Sequence, residues 1–341
     1  MGVGGAEVLL KDTVQGLPEH QHVVCYLRQP DTLVPQLKEH ICYNLQHSSW
    51  KQSFGTCRKL KQIISKHQPD VIHAHLFEAT LLTRMVVPEK TKFFFTIHNI
   101  LSKDAFEVNR LSLVAEKLTY KKRHHIIAVS KVALDDYDKW VGIRGEADVL
   151  YNYVSQNFFD LQFDYRQEVN TSFKLVAVGN LRRQKNYPAL LEAFKLLNDL
   201  PVSLDIYGEG DINDELQTTI NKNRLNVRLM GRVNAVSEIL PDYHAYIMSS
   251  LFEGFGIAPM EAMAAGMPVI LSNLEVFKEI GEDVPVYFDQ SDPASIAEAI
   301  RHAFQNWDNI KVKAKRGKNL ISSKASKEVY FKKLLELYQN T

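Results

Sequence analysis

The stretch Ser250-Leu251-Phe252-Glu253-Gly254-Phe255-Gly256-Ile257-Ala258-Pro259-Met260-Glu261 decides the reading of this chain. Two glutamates eight positions apart flank a Gly-aromatic-Gly loop. The apolar run Ala245 to Leu251 before it reads as a buried strand. Pro259 suits a first helical turn, and Gly266 followed by Pro268 reads as a stop, so a short helix is expected between them. Strand, glycine loop and helix start leave backbone N–H groups pointing out of the end of a sheet. No Ser, Thr, Asn or Asp occupies residues 254–258 to cap them. Such a helix start attracts anions, phosphate above all. Glu261 is expected near the third helical position, where a carboxylate also suits the helix dipole.

Outward from this motif, β-rich runs alternate with helical patterns, the mark of an α/β protein with parallel sheets. Strands are expected at residues 22–27, 70–76, 92–99, 124–130 and 147–152 in the first half. In the second half they fall at 174–181, 202–208, 226–231, 245–251, 268–272 and 285–288. Periodicity fades over residues 155–172, as in a linker. The expected architecture is two doubly wound, Rossmann-like domains facing across a cleft, with ligands outside the carboxyl ends of the strands. Residues 1–160 form the first domain and 161–325 the second. Residues 326–341 form an amphipathic helix with Tyr330, Leu334 and Leu337 on one stripe and Phe331, Leu335 and Tyr338 on the next.

Composition excludes several classes. The chain has 341 residues, 45% hydrophobic and 24% charged, a globular balance. A net charge of +1 gives no reason to expect nucleic acid. No apolar run approaches the ~20 residues of a membrane span, and no secretory h-region stands at the start. Cys25, Cys42 and Cys57 lack metal-ligand spacing and read as thiols of a reducing cytoplasm.

The two-glutamate motif resembles the donor site of the retaining, GT-B-fold glycosyltransferases of family 4 (glycosyl transferases group 1), and the resemblance spans nearly the whole chain. It implies transfer of a hexose from a UDP-sugar or GDP-sugar donor to a saccharide or lipid-linked acceptor, in bacterial surface polysaccharide synthesis. It implies that Glu261 holds the ribose diol, for which two carboxylate oxygens suit two hydroxyl donors. Glu253 would lie beside the transferred sugar, and the Gly254, Phe255, Gly256 and Ile257 segment would meet the diphosphate. No cofactor and no metal is expected.

Other residues take roles from the same resemblance. After Val176-Ala177-Val178-Gly179 comes the basic loop Asn180-Leu181-Arg182-Arg183-Gln184-Lys185. Lys185 matches the family's lysine, which neutralises the leaving diphosphate. Asn180 stands where the family has arginine, and Arg182 or Arg183 is the candidate replacement. Gly4-Gly5 opens a first helix whose bare amides suit a diphosphate. Gly208, in Tyr207-Gly208-Glu209-Gly210, matches a Gly-x-Gly turn, and Arg232 falls where the nucleobase pocket lies. His98 ends the run Phe93-Phe94-Phe95-Thr96-Ile97 and is implied to contact the sugar or acceptor. His73 and His75 end the preceding strand on one face, without a third metal ligand. Ser130 either lines the site or caps the helix after it, and Asn152 matches the family's asparagine after the next strand.

A basic run of Lys117, Lys121, Lys122, Arg123, His124 and His125 suits peripheral contact with the cytoplasmic face of the inner membrane. The chain opens Met1-Gly2-Val3-Gly4-Gly5, already inside a turn that a hydrophobic strand precedes in the family. The reading frame is expected to extend upstream by ~10–15 residues, one strand and its flanks. Two further classes stay open on this scaffold: a nucleotide-sugar 2-epimerase, and a non-catalytic nucleotide-sugar-binding homologue.

Overall fold

A computed structural model describes residues 5–29, 32–103, 110–165, 169 and 171–340, which leaves Gly4 outside. The chain divides into two compact units, residues 1–152 with 330–341, and residues 153–329.

In the first unit, β1 (Val23–Tyr26) and β2 (Ile41–Asn44) pair in parallel. A second parallel sheet runs β3 (Val71–His75), β4 (Lys92–Ile97), β5 (His124–Ala128) and β6 (Ala147–Val149) in that order. Strand β4 is buried on both faces through Phe93, Phe94 and Phe95, and β5 through Ile126 and Ile127, as helix-covered parallel strands must be. The C-terminal helix Lys327–Asn340 closes this unit. Tyr330 and Leu334 are buried and Phe331 packs on Gly16, so the apolar stripes read from the sequence face inward.

The second unit is one six-stranded parallel sheet. Its strands are β7 (Phe173–Val178), β8 (Val202–Tyr207), β9 (Val227–Gly231), β10 (Ala245–Met248), β11 (Val269–Ser272) and β12 (Val286–Phe288). They lie in the order β12-β11-β10-β7-β8-β9. The chain therefore winds one way from β7 to β9 and the other way from β10 to β12. The order reverses between β7 and β10, whose carboxyl ends flank the topological switch point where such sheets bind ligands. Leu175, Leu204, Ile206, Ala245 and Ile247 are fully buried, and helices Tyr187–Phe194 and Pro293–Gln305 add Leu190, Leu191, Ile296 and Ile300 to the same core.

Two readings are corrected here. The segment taken as a linker includes a short helix, Gln156–Phe159, with Phe158 buried. Strand β2 was not expected at all: four residues, Ile41-Cys42-Tyr43-Asn44, are too few to show an alternating pattern.

Candidate functional site

In the second unit the loops after β7 and β10 are stitched together at the switch point. Leu251 N–H donates to the Gln184 carbonyl at 2.8 Å, and Gln184 Nε2 donates to the Phe252 carbonyl at 3.0 Å. Ser249 Oγ donates to the Lys185 carbonyl at 2.9 Å. These bonds carry Lys185 over the second loop, where its Nζ meets Glu253 Oε1 at 2.7 Å. Ser250 Oγ donates to the same oxygen at 2.7 Å. Glu253 is only 9% exposed, so two donors on one oxygen offset the cost of burying its charge. The backbone below is braced by Tyr187 and Tyr246, whose hydroxyls donate to the carbonyls of Gly179 and Val178.

The helix after this loop is Ile257–Ala264, and no side chain caps it. Its N-cap, Gly256, has φ +81°, and a Cβ there would sit 2.4 Å from the Phe277 ring. Both facts require glycine at this position. Because the helix begins at Ile257, Glu261 is its fifth residue rather than its third. The correction matters, since a full turn in, the carboxylate is no dipole complement to the first turn. Glu261 makes no side-chain hydrogen bond to a described residue, and burial pushes its carboxyl up to about 7. An acid that keeps partial solvent contact and has no side-chain hydrogen bond among the described residues is poised for ligand hydroxyls.

Gly208 stands in the loop after β8. It has φ +153°, and a Cβ there would stand 2.0 Å from the Gly179 carbonyl oxygen. Glycine there lets the loops after β7 and β8 approach closely.

In the first unit, histidines gather at the carboxyl ends of β3 and β4. His75 Nδ1 lies 3.0 Å from His98 Nε2. His73 is held by the Tyr338 hydroxyl at Nδ1 and by Thr96 Oγ1 at Nε2, both at 2.6 Å. Burial, the largest cause, lowers His75 to about 4 and His98 to about 3, with His75 adding to the effect on His98. All three rings are neutral at pH 7. His98 also lines a small pocket of about 40 Å³ with Leu76, Phe77, Thr80, Asn99 and Glu116. No group of three or more His, Cys, Asp or Glu among the described residues is placed to hold a metal.

A family model for Glycosyltransferase Family 4 matches residues 3–158, and one for Glycosyl transferases group 1 matches residues 159–321. The chain belongs to the family 4 glycosyltransferases. It is similar to the O-antigen biosynthesis glycosyltransferase WclY of Escherichia coli, 22% identical over 89% of this chain and 86% of that one. It is 34% identical to the UDP-N-acetylglucosamine–peptide N-acetylglucosaminyltransferase GtfA subunit of Streptococcus agalactiae, over 41% of this chain but only 28% of that protein's length. Among solved structures, HepE from Anabaena in complex with UDP-glucose matches with a TM-score of 0.85 at 18% identity, covering 100% of this chain and 97% of that one. The fold is GT-B.

For this glycosyltransferase the remaining expected site residues fall as follows. Lys185 and Glu253 are brought together, with Gly254, Phe255, Gly256 and Ile257 on the adjoining loop and helix start. Asn180 is exposed and bears no side-chain hydrogen bond to a described residue. Arg183 is not turned to this group: its guanidinium is bidentate to Glu215, at 2.8 and 2.5 Å, on the exposed helix Asn213–Asn223. Arg182 is exposed and pairs with no described acid. Arg232 is exposed after β9, the sheet's edge strand, two strands or roughly 10 Å from β7. Gly5 is the first residue of helix Gly5–Gly16, with open space where a Cβ would stand. Ser130 caps helix Lys131–Trp140, accepting from Ala133 N–H at 3.1 Å.

The basic run is smaller than the sequence suggested. His124 and His125 are buried within β5, and Arg123 is spent on the carbonyls of Val87 and Pro88. Ser250 and Gln184 were missed as site residues. Ser250 was visible in principle as the serine of a Ser-x-x-Glu spacing, whereas Gln184 acts through contacts made only in the fold.

Proposed function

We propose that this chain transfers a hexose from a UDP-sugar to a saccharide or lipid-linked acceptor, with retention of anomeric configuration, in the assembly of a bacterial surface polysaccharide. One observation carries the reading. The switch point of the second unit gathers a Lys185–Glu253 pair, a helix start without a side-chain cap and an acid, Glu261, with no side-chain hydrogen bond among the described residues. A diphosphate meets the helix start and Lys185, a ribose diol meets Glu261, and the sugar lies at Glu253. UDP rather than GDP is favoured by the likeness to HepE, which binds UDP-glucose. The polysaccharide role is favoured by the likeness to WclY.

As the bond from sugar to phosphate breaks, charge grows on the diphosphate, and cations fixed beforehand stabilise it. Lys185 is one. Arg182 is the second, because Arg183 is tied to Glu215 and Asn180 is neutral. These two side chains are inferred to do without a metal ion what a cation would otherwise do. Retention fits a leaving phosphate oxygen that takes the acceptor's proton on the face it departs from. Glu253 Oε1 already accepts from Lys185 and Ser250, which suits orienting a sugar better than attacking one.

The first unit is further proposed to rest on an anionic bilayer at the cytoplasmic face. Helix Arg110–Thr119 turns Leu111, Val114 and Leu118 outward, 81%, 52% and 77% exposed, at positions i, i+3 and i+7. Lys117, Lys121 and Lys122 are exposed beside and beyond this stripe, so an apolar face with a cationic border meets an anionic surface. No helix among the described residues is long and apolar enough to cross a membrane.

A thermal-shift screen of UDP- and GDP-sugars, followed by transfer assays with the stabilising donor, tests the reading. Protection by a UDP-sugar, with transfer lost by orders of magnitude in Glu253→Ala and Glu261→Ala, supports it. Protection by GDP-sugars alone reassigns the base. A donor altered without any acceptor points to epimerisation instead, and binding without turnover to a non-catalytic homologue.

A further inference from the structure

The family resemblance gives His98 a contact with the sugar or the acceptor and leaves the imidazoles behind it without a task. A half-buried group of three histidines is an expensive way to fill the end of a sheet, since apolar side chains would do so without desolvating ring nitrogens. We propose that His75 is a positioning residue for His98, fixing the plane and the proton of the His98 ring through the contact between His75 Nδ1 and His98 Nε2. The inference rests on the reading that His98 meets the sugar or the acceptor.

The lowered proton affinities of His75 and His98 favour the neutral imidazole form. Such a ring carries one N–H and one bare nitrogen, and which is which is set by its neighbours. At 3.0 Å, Nδ1 of His75 and Nε2 of His98 share one proton: one donates and the other accepts. The tautomers of the two rings are therefore locked to each other, and Nδ1 of His98 is the nitrogen left for a substrate. His98 itself lines the pocket after β4.

What holds His75 is also on the same sheet. Its ring packs on His73 with centroids 4.2 Å apart and planes inclined by 31°. His73 is clamped at both nitrogens, by Tyr338 from the C-terminal helix and by Thr96 from β4. Residues 73 and 75 alternate onto one face of β3, so the strand supplies the stack without further design. The sequence runs from a clamped ring, to a stacked ring, to the ring facing the pocket.

The test uses the full chain with its donor, in His75→Phe, His75→Asn and His98→Ala. Phenylalanine keeps the ring and loses the nitrogen. Asparagine places an amide group where Nδ1 stood. His75→Phe is expected to lower kcat roughly tenfold to a hundredfold, the scale of a misplaced reacting group, with the donor KM within about threefold. His75→Asn is expected to restore most of the rate. The ring ¹⁵N pattern of His98, read by long-range proton–nitrogen correlation, is expected to change tautomer signature in His75→Phe and to return in His75→Asn.

A merely structural His75 predicts that both variants fail alike, in step with thermal stability, and that the His98 pattern is unmoved. Either result overturns the proposal. Unimpaired transfer in His98→Ala overturns the reading beneath it, and the nitrogen spectra tell that failure apart from failure of the coupling.

Discussion

Replacing Glu261 by glutamine is expected to make the protein more stable and less useful. Burial raises the folded-state affinity of Glu261 for its proton, from the ordinary 4.5 to about 7. Between those two pH values the folded chain holds a proton that the unfolded chain has released. The sign follows: stability contributed by this group is fully present below about 4.5, and it is lost as pH rises toward 7. The loss is about 1.4 kcal/mol per pH unit across the window. Partial solvent contact trims the total to about 2–3 kcal/mol at pH 8. Glutamine has the same shape and no charge to desolvate, so it escapes the penalty.

Urea denaturation at pH 5, 6, 7 and 8, followed by fluorescence, measures this, because Trp307 is buried in the core of the second unit. The variant and the parent are expected to have nearly equal midpoints at pH 5 and to diverge steadily up to pH 7. For a unit of this size the gap corresponds to roughly 4–12 °C in Tm at pH 8. The same variant should bind donor more weakly, since an amide offers one acceptor oxygen where the carboxylate offers two. A gap that does not change between pH 5 and pH 8, or a variant less stable at pH 8, would refute the reasoning.

Other consequences follow from single contacts. Gly256→Ala forces a side chain into a left-handed backbone and against Phe277, and should cost about 2 kcal/mol or more in denaturation midpoint, with loss of transfer. Arg183→Ala removes only an exposed pair with Glu215, so transfer should stay within about twofold and stability within about 1 kcal/mol, while Arg182→Ala should lower transfer at least tenfold. Leu111→Ser with Leu118→Ser should release the protein from vesicles containing anionic lipid, in a sedimentation assay, without changing its circular dichroism; a concentration-dependent dimer lost in the same variant would assign the face to a second copy instead.

How much of this was legible depended on whether the signal was local. The strand β7 announced itself through Leu175 to Val178, an apolar run whose first three residues are buried. The glycine loop at 254–256 was readable because left-handed backbone and an uncapped helix start leave a mark in residue type. The four residues of β2 were not, since their pairing with β1 depends on partners distant in sequence. The same limit hid the fate of the arginines. Arg182 and Arg183 are chemically identical in the sequence, and only the position of Glu215, 32 residues on, separates them. His124 and His125 looked like part of a basic surface because lysines precede them, yet β5 takes both inside. Glu261 was found by resemblance, but its unusual proton affinity comes from burial, which no spacing encodes.

The central claim is that the switch point of the second unit grips a nucleotide-sugar, and isothermal titration of UDP-glucose tests it most directly. The account predicts saturable one-to-one binding by the parent chain, weakened at least tenfold in both Lys185→Ala and Glu261→Ala. Equal binding by all three proteins would contradict it, as would the absence of binding by the parent to any UDP- or GDP-sugar.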